Sequence, residues 1–457
     1  MKCVVGIDLG STTTKAVLLD ERGSVLGQGI TNSRSNYAVA SSVARDEALT
    51  AARFTMLERA FESDQRMGSV ETQTLLERLA ACFRLEVYLA QLEQLGRVME
   101  LLLAGDQYGR HRSETEAPAR DILAECIRDA PQLFVPGARR KSDFFRDLAG
   151  AAFMAGAERR AREGQVVFER IVALFDRAIF DVETWLMNVE FATLLSRALD
   201  RALPDVITDS VRSDVRDEIK AIVDRVATVP IEECSYVGTG YGRQTLPFPK
   251  EAVRSEILCH GRGAHRVFPG TRSVLDIGGQ DTKALQVDDS GMVTAFQMND
   301  RCAAGCGRYL GYIADELNIG LHELGPLALQ STKVVKINST CTVFAGAELR
   351  ERLSLGQRRE DILAALHRSI LTRAMSLIAR SGGIRNEFTF TGGVCKNPMA
   401  TKVLGELVAE HYGSDIVIHT HPDSIYMGAL GAALFALDDL QAGRARLMLA
   451  QEKGIAS

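Results

Sequence analysis

The sequence predicts an α/β protein of two similar lobes, with a large helical insertion in the first lobe. Three observations carry that reading. Glycine is unevenly spread: 8 of the 39 glycines fall in residues 51–230, and the other 277 residues hold 31. The glycine-poor stretch repeats its apolar residues at three- and four-residue steps, the period of a helix. The two glycine-rich flanks share a motif. Gly6-Ile7-Asp8-Leu9-Gly10-Ser11-Thr12-Thr13-Thr14-Lys15 is echoed about 270 residues later by Leu275-Asp276-Ile277-Gly278-Gly279-Gln280-Asp281-Thr282-Lys283. Each copy is an apolar strand, an Asp, a glycine turn, polar residues and a Lys.

Length and composition bound the problem. A chain of 457 residues corresponds to about three domain-sized units. With 46% apolar and 25% charged residues it has the makings of a large core, which excludes disordered, collagenous and disulfide-stapled classes. A net charge of −5 argues against nucleic acid or an anionic membrane surface as the main partner. No run approaches 18 uninterrupted apolar residues, so no membrane span is expected. The opening MKCVVGIDLG reads as strand and turn rather than as a signal peptide. With an odd total of nine cysteines, this leads to the expectation of a reducing, cytoplasmic setting.

The elements follow in order. Val4 to Asp8 is a strand, Leu9 to Thr14 a turn, Ala16 to Leu19 a second strand, and Asp20-Glu21-Arg22-Gly23 a turn into Ser24-Val25-Leu26-Gly27. Such hairpins suggest a mixed sheet. From about Ser42 to Asp224 the text is helical, with Pro118, Pro131 and Pro136 expected to break it into pieces. Further strands are expected at Ser235–Val237, Ser273–Ile277, Lys283–Val287, Lys333–Ile337 and Phe388–Phe390. Helices are expected at Ala252–His265, Gly307–Leu317, Glu360–Ser381 and Met399–Tyr412. The expected division is 1–45 and 191–272 for the first lobe, 46–190 for the insertion, 273–430 for the second lobe and 431–457 for a C-terminal helix and tail.

The repeated motif has the chemistry of a pair of phosphate loops. Tight turns at Gly10 and at Gly278-Gly279 let backbone N–H groups reach phosphate oxygens, and Ser11, Thr12 and Thr13 add hydroxyl donors. Lys15 supplies a point charge, and Asp8 and Asp276 at strand ends suit a hydrated Mg2+ held through one or two carboxylates. A third loop, Thr391-Gly392-Gly393-Val394-Cys395-Lys396-Asn397, follows a strand and suits close backbone approach to a nucleoside. Gly238-Thr239-Gly240-Tyr241-Gly242-Arg243 does not open a helix in the dinucleotide-binding spacing. His260, His265, His419 and His421 read as structural or solvent-facing rather than as metal ligands.

Together the two phosphate loops and the late Gly-Gly loop resemble the actin/hexokinase/Hsp70 ATPase superfamily, with two ribonuclease-H-like lobes around an ATP cleft. Within it, Ile277-Gly278-Gly279-Gln280-Asp281, Asn299-Asp300-Arg301-Cys302-Ala303-Ala304-Gly305 and Ser339-Thr340-Cys341-Thr342-Val343-Phe344 resemble one branch. That branch comprises activators of 2-hydroxyacyl-CoA dehydratases and ATPase subunits of benzoyl-CoA reductases. The resemblance covers roughly residues 1–35 and 190–437. It implies ATP, Mg2+ and a [4Fe–4S] cluster shared across a subunit interface, with Cys302 and Cys341 as this chain's two thiolates. Their separation of 39 residues is no signature in itself. Cys306 departs from the branch pattern and reads as a small core residue, with a spare thiol four residues from Cys302 as the alternative. The resemblance also implies that Glu256 helps to place Mg2+ and the attacking water, with Gln280 and Asp281 as further aligning residues.

What the resemblance implies for function is an ATP-hydrolysing electron-transfer subunit, fed by reduced ferredoxin, acting on an aromatic acyl-CoA. The helical block sits where the larger ATPase subunit of a class I benzoyl-CoA reductase carries its insertion. This implies a smaller homologous ATPase subunit and two substrate-binding reductase subunits as partners. A 2-hydroxyacyl-CoA dehydratase activator is the alternative. Two other classes stay open: a small-molecule kinase, which would need a sugar-side Asp base and no Cys pair, and a chaperone-like ATPase that would tolerate Cys302→Ser and Cys341→Ser.

Overall fold

The computed structural model describes residues 1–33, 36–64, 72–105, 109–138, 144–184, 190–206, 213–240, 247–299, 306–337 and 342–444. The chain divides into two compact units, one of Met1–Leu49 with Ile231–Ser457 and one of Thr50–Pro230. Three strands open the first unit: β1 (Lys2–Leu9), β2 (Thr13–Asp20) and β3 (Val25–Asn32). Asp20 shapes the second turn, its Oδ1 accepting from Arg22 N at 2.9 Å and Ser24 N at 2.8 Å. Asn36 then caps α1 (Tyr37–Ser63), accepting from Ala38 N and Val39 N.

The last turns of α1 belong to the helical unit. Five further helices follow: α2 (Thr72–Leu103), α3 (Arg112–Asp129), α4 (Phe145–Arg162), α5 (Phe168–Thr184) and α6 (Phe191–Val206). The unit closes with α7 (Ser213–Thr228). α2 is its spine. Leu75, Leu79 and Phe83 pack with residues of α1, α6 and α7, whereas Leu92, Leu95 and Met99 pack with α3, α4 and α5. Each cluster supplies the burial that a lone helix lacks. Arg53 caps the end of α7, donating to the carbonyls of Val226 and Val229 at 3.0 Å each. The expected break at Pro118 does not occur, because α3 continues through it. The single hydrogen bond that proline removes is offset by the buried face of Ala119, Ile122, Leu123 and Cys126. α6 and α7 extend this unit past the expected limit of 190, and strand text resumes only at Glu232.

β4 (Glu232–Gly240) returns to the first unit and pairs parallel with β1, giving the sheet order β3-β2-β1-β4. After α8 (Glu256–Val267) come β5 (Ser273–Ile277), β6 (Thr282–Val287) and β7 (Val293–Asn299). Then follow α9 (Gly307–Glu316), α10 (Leu321–Ala328), α11 (Thr342–Ser354) and α12 (Arg359–Ser381). β8 (Phe388–Thr391), α13 (Pro398–Tyr412), β9 (Ile418–His419) and α14 (Met427–Gln441) are the last strands and α-helices among the described residues. The second sheet runs β7-β6-β5-β8-β9. In each sheet a central strand pairs antiparallel with its successor and parallel with a later strand: β1 with β2 and β4, β5 with β6 and β8. Asp8 lies opposite Lys15, and Asp276 lies opposite Lys283. The echo in the sequence is therefore an echo in register.

Three features differ from expectation. Lys333–Ile337 is not a strand. Asp361 Oδ1 gathers the Ser331 hydroxyl and the Thr332 and Lys333 amides at 2.7–3.0 Å, so the segment's first donors go to a carboxylate rather than to a ladder. β7 is not among the expected strands. It is an edge strand whose middle residues are exposed, so it lacks a clear inside–outside alternation. α12 reaches the length and hydropathy of a membrane-crossing helix, the only described one to do so, but its apolar residues fill the core of the second lobe.

Close backbone approach holds the first lobe together. A Cβ on Gly6 of β1 would lie 2.1 Å from the Ala429 carbonyl of α14. One on Gly431 of α14 would lie 1.9 Å from the Cys259 carbonyl of α8. Both glycines let helix backbone lie directly on its neighbour. Gly431→Ala is expected to cost about 3 kcal/mol or more through overpacking. A denaturant midpoint equal to that of the unaltered protein would contradict this contact.

Candidate functional site

The two glycine turns meet. A Cβ on Gly279 would lie 2.1 Å from Thr12 Oγ1, so the second loop faces the first at contact distance. The β1–β2 turn is held from behind, with the Ser33 hydroxyl donating to the Gly10 carbonyl and bonding Thr14 Oγ1 at 3.0 Å. Ser11 and Thr13 are half-buried and Thr12 is exposed, which leaves the turn's outer face open. The second turn closes through Gly278 N to the Asp281 carbonyl at 3.0 Å. Its own carbonyls are taken by the start of α9. Gly307 N donates to Gly278 O at 2.8 Å, and Arg308 N donates to Gly279 O at 2.7 Å.

The third loop packs against the second lobe's central strand. Gly392 has φ +88°, and a Cβ there would lie 2.4 Å from the Ile277 carbonyl, so only glycine fits. Gly393 and Lys396 are exposed beyond it. Asn397 is committed to structure. Its Oδ1 caps α13 by accepting from Met399 N at 3.0 Å and Ala400 N at 3.1 Å. Its amide donates to His367 Nε2 at 3.0 Å, while His367 Nδ1 donates to the Leu363 carbonyl at 2.7 Å.

Behind the loops lies a buried cluster of charge. Asp8, Glu256, Asp276 and Asp281 are all buried, and so are His260 and Lys283. Glu256 and His260 are one helical turn apart on α8, so both face the strands. Lys283 Nζ lies 2.8 Å from Glu256 Oε1, 2.8 Å from Asp281 Oδ1 and 3.4 Å from Asp276 Oδ2. His260 Nδ1 lies 3.3 Å from Asp276 Oδ1, off line for a hydrogen bond but close enough for an ion pair. Thr391 Oγ1 donates to the same Asp276 oxygen at 2.9 Å.

These contacts decide the charge states. Burial alone would raise the Asp276 carboxyl, but the charges of His260 and Lys283 overcome it and hold the group well below the usual range. Burial would lower Lys283, yet Asp276, Glu256 and Asp281 raise it well above its ordinary value. Burial would likewise lower His260, and the Asp276 carboxylate reverses the direction. For Glu256 burial wins over the nearby Lys283, and its carboxyl is raised.

Asp8 differs from the rest. Its Oδ2 lies 3.4 Å from Lys15 Nζ, whereas its buried Oδ1 has no hydrogen-bond partner. Ligand atoms of Asp8, Glu256 and His260 lie within 4.8 Å of one another. An unsatisfied buried carboxylate oxygen beside a second carboxylate fits an ion such as Mg2+, which takes one or two carboxylates and keeps several waters. Asp276 has both oxygens engaged inside the protein.

The structure thus brings together Asp8, Gly10, Ser11, Thr12, Thr13, Lys15, Glu256, Asp276, Gly278, Gly279, Gln280 and Asp281, with Gly392 behind them. Cys302 and Cys341 lie outside the described residues. All seven described cysteines, Cys306 among them, are buried and free of disulfides. His260 and Lys283 are the members that the sequence reading did not place in the site. The signals were present: Lys283 follows Asp276 by seven residues as Lys15 follows Asp8, and His260 follows Glu256 by four.

Two sheets of matching strand order, each offering an Asp-backed glycine turn to the other, give a two-lobed α/β fold of the actin, hexokinase and Hsp70 kind. Residues 5–436 match the BadF/BadG/BcrA/BcrD ATPase family, and the chain belongs to that family. It is 43% identical over 200 residues to the (R)-2-hydroxyglutaryl-CoA dehydratase activating ATPase of Acidaminococcus fermentans, covering 44% of this chain and 74% of that protein. It is 32% identical over 209 residues to a benzoyl-CoA reductase subunit of Thauera aromatica, covering 46% and 73%. The crystal structure of the Acidaminococcus fermentans (R)-2-hydroxyglutaryl-CoA dehydratase component A superposes with a TM-score of 0.53 at 22% identity. That match covers 96% of this chain and all of that one, and it supports the fold.

The His367–Asn397 pair generates a pH prediction. Burial lowers His367 to about 4, so the folded protein keeps it neutral while the unfolded chain takes a proton below about 6.5. Stability is then lost as pH falls from about 6.5 to about 4, by up to about 3 kcal/mol from this group. Thermal unfolding across that range should show a shallower slope for His367→Gln than for the unaltered protein. Parallel slopes would mean that the histidine is not held neutral.

Proposed function

We propose that this chain hydrolyses ATP held between the two phosphate loops, and that hydrolysis drives delivery of low-potential electrons to a partner acting on a CoA thioester. The observation that carries the first part is the meeting of the Gly279 and Thr12 turns over the buried carboxylates. Gly10, Ser11, Thr12, Thr13, Gly278 and Gly279 surround the phosphates, and Lys15 supplies positive charge from its partly exposed position. Mg2+ bound through water to Asp8, with Asp276 behind it, would neutralise phosphate charge. Glu256, Gln280 and Asp281 orient the attacking water, since phosphoryl transfer depends mainly on positioning and charge. Gly392, Gly393 and Lys396 approach the nucleoside, and Asn397 sets the shape of that loop from within.

The second part rests on chain continuity. The amides of Gly307 and Arg308 are bonded to the carbonyls of the second phosphate loop. Residues 300–305, with Cys302, lead directly into them. A change of that loop on loss of the γ-phosphate would therefore reach the Cys302 segment through two hydrogen bonds. In this reading Cys302 and Cys341 give two of the four thiolates of a [4Fe–4S] cluster, and a second subunit gives the other two.

Two partners are supported by different observations. The inserted helical unit favours the larger ATPase subunit of a benzoyl-CoA reductase, paired with a smaller ATPase subunit and two substrate-binding subunits and fed by ferredoxin. The 43% identity to a dehydratase-activating ATPase favours an activator of a 2-hydroxyacyl-CoA dehydratase.

Asp8→Asn should reduce ATP turnover about 100-fold while leaving the fold intact, and turnover within twofold of the unaltered protein would remove Asp8 from the site. Anaerobically purified protein should contain iron that Cys302→Ala and Cys341→Ala each abolish. Iron-free protein with undiminished ATP hydrolysis would sink the redox reading. Isolation as a homodimer would favour the activator, and isolation with unlike subunits the reductase.

A further inference from the structure

The two lobes carry the same Asp–Lys pair, but they use it differently. In the first lobe Lys15 touches one carboxylate, Asp8 at 3.4 Å, and its side chain remains 12% exposed. In the second lobe Lys283 keeps the same 3.4 Å spacing to Asp276, yet its side chain is 2% exposed and meets two further carboxylates at 2.8 Å each. Lys15 is free to turn toward a phosphate. Lys283 is enclosed, and its ammonium is coordinated much as a small monovalent cation would be.

The three carboxylates come from three elements: Glu256 from the first turn of α8, Asp276 from the end of β5, and Asp281 from the turn before β6. His260 also faces them, 3.3 Å from Asp276 and 3.9 Å from Glu256, but without the ammonium the buried carboxyls would take up protons rather than stay ionised together. Glu256 is the group proposed to orient water, and Asp281 closes the second phosphate turn through its carbonyl to Gly278 N. One ammonium thus fixes both the water-orienting carboxylate and the loop opposite it.

We propose that Lys283 is a built-in monovalent cation: a positioning residue that locks Glu256 to the second phosphate loop and makes ATP hydrolysis independent of dissolved potassium or ammonium. This deepens the ATPase reading above and rests on it. A covalently tethered charge is present at unit occupancy whatever the salt. A dissolved ion would need to be recruited and would make activity track its concentration.

Chemical rescue tests the assignment. Lys283→Ala leaves a buried space lined by three carboxylates, and Lys283→Met fills that space without charge. The unaltered protein should hydrolyse ATP equally in sodium, potassium and ammonium chloride of matched ionic strength. Lys283→Ala should bind ATP within a few-fold of normal but turn over about 100-fold more slowly in sodium. Ammonium or methylammonium should restore at least tenfold of that loss in Lys283→Ala, and tetramethylammonium should not. Neither amine should rescue Lys283→Met.

A second readout does not need turnover. Ammonium should raise the melting temperature of Lys283→Ala relative to sodium and leave that of the unaltered protein unchanged. If Lys283→Ala is recovered unfolded in sodium, refolding in ammonium should yield folded protein. Equal behaviour of Lys283→Ala in both salts, or a potassium requirement in the unaltered protein, would overturn the proposal. Loss of the ATPase reading would look different: no turnover by the unaltered protein, with the ammonium-dependent melting shift still present.

Discussion

Four carboxylates can be buried together only if positive charge is buried with them. Asp8, Glu256, Asp276 and Asp281 are each at most 8% exposed, and Lys283, His260 and Lys15 are set against them. An isolated ionised carboxylate in such surroundings would take up a proton rather than remain charged. Here the charges hold one another in place, with Asp276 pinned by Lys283, His260 and the Thr391 hydroxyl. The ends of β1 and β5, the first turn of α8 and the strand β8 must therefore converge. Much of the first unit's architecture serves that convergence.

Bringing those backbones close enough requires residues without side chains. Gly431 places α14 on the Cys259 carbonyl, and Gly428 passes within 2.8 Å of both Asp8 Oδ2 and His260 Nε2, measured from where its Cβ would be. A larger residue at either place would push α8 or α14 outward and carry Glu256 and His260 with it. The small-residue run Gly428-Ala429-Leu430-Gly431-Ala432-Ala433 thus has no reactive group of its own but sets the depth of the charged cluster. The third loop is seated by the same device, Gly392 lying on the Ile277 carbonyl.

The two sheets supply similar frames, and burial makes them unlike. Both Asp–Lys pairs occupy the same register position in their sheets. What differs is the neighbour. In the second lobe α8 brings Glu256 over the lysine, and the loop returns Asp281 to it. In the first lobe the lysine keeps an open side. The helical unit follows another logic. Its long spine α2 serves two cores, and Arg78 ties the chain near it by bonding the Phe134 carbonyl and pairing with Asp205.

Local pattern decided much of this protein. The strands β1, β2, β5, β6 and β8, the helices α8, α9, α12 and α13, and the two Asp-backed glycine turns are legible because alternation, helical period and glycine are local signals. Edge strand β7, the coil at Lys333–Ile337 and the unbroken α3 are not, since each depends on what lies beside it: solvent, the Asp361 carboxylate or a buried helix face. The same holds at the site. The repeated motif named Asp8 and Asp276, and the family resemblance added Glu256 and Asp281, each singly. That Asn397 is spent on a helix cap, that Asp8 keeps an unpartnered oxygen, and that Lys283 is clasped by three carboxylates came only with the tertiary structure. A residue's charge and reach belong to its type, but its partners are set by chain segments far away in sequence.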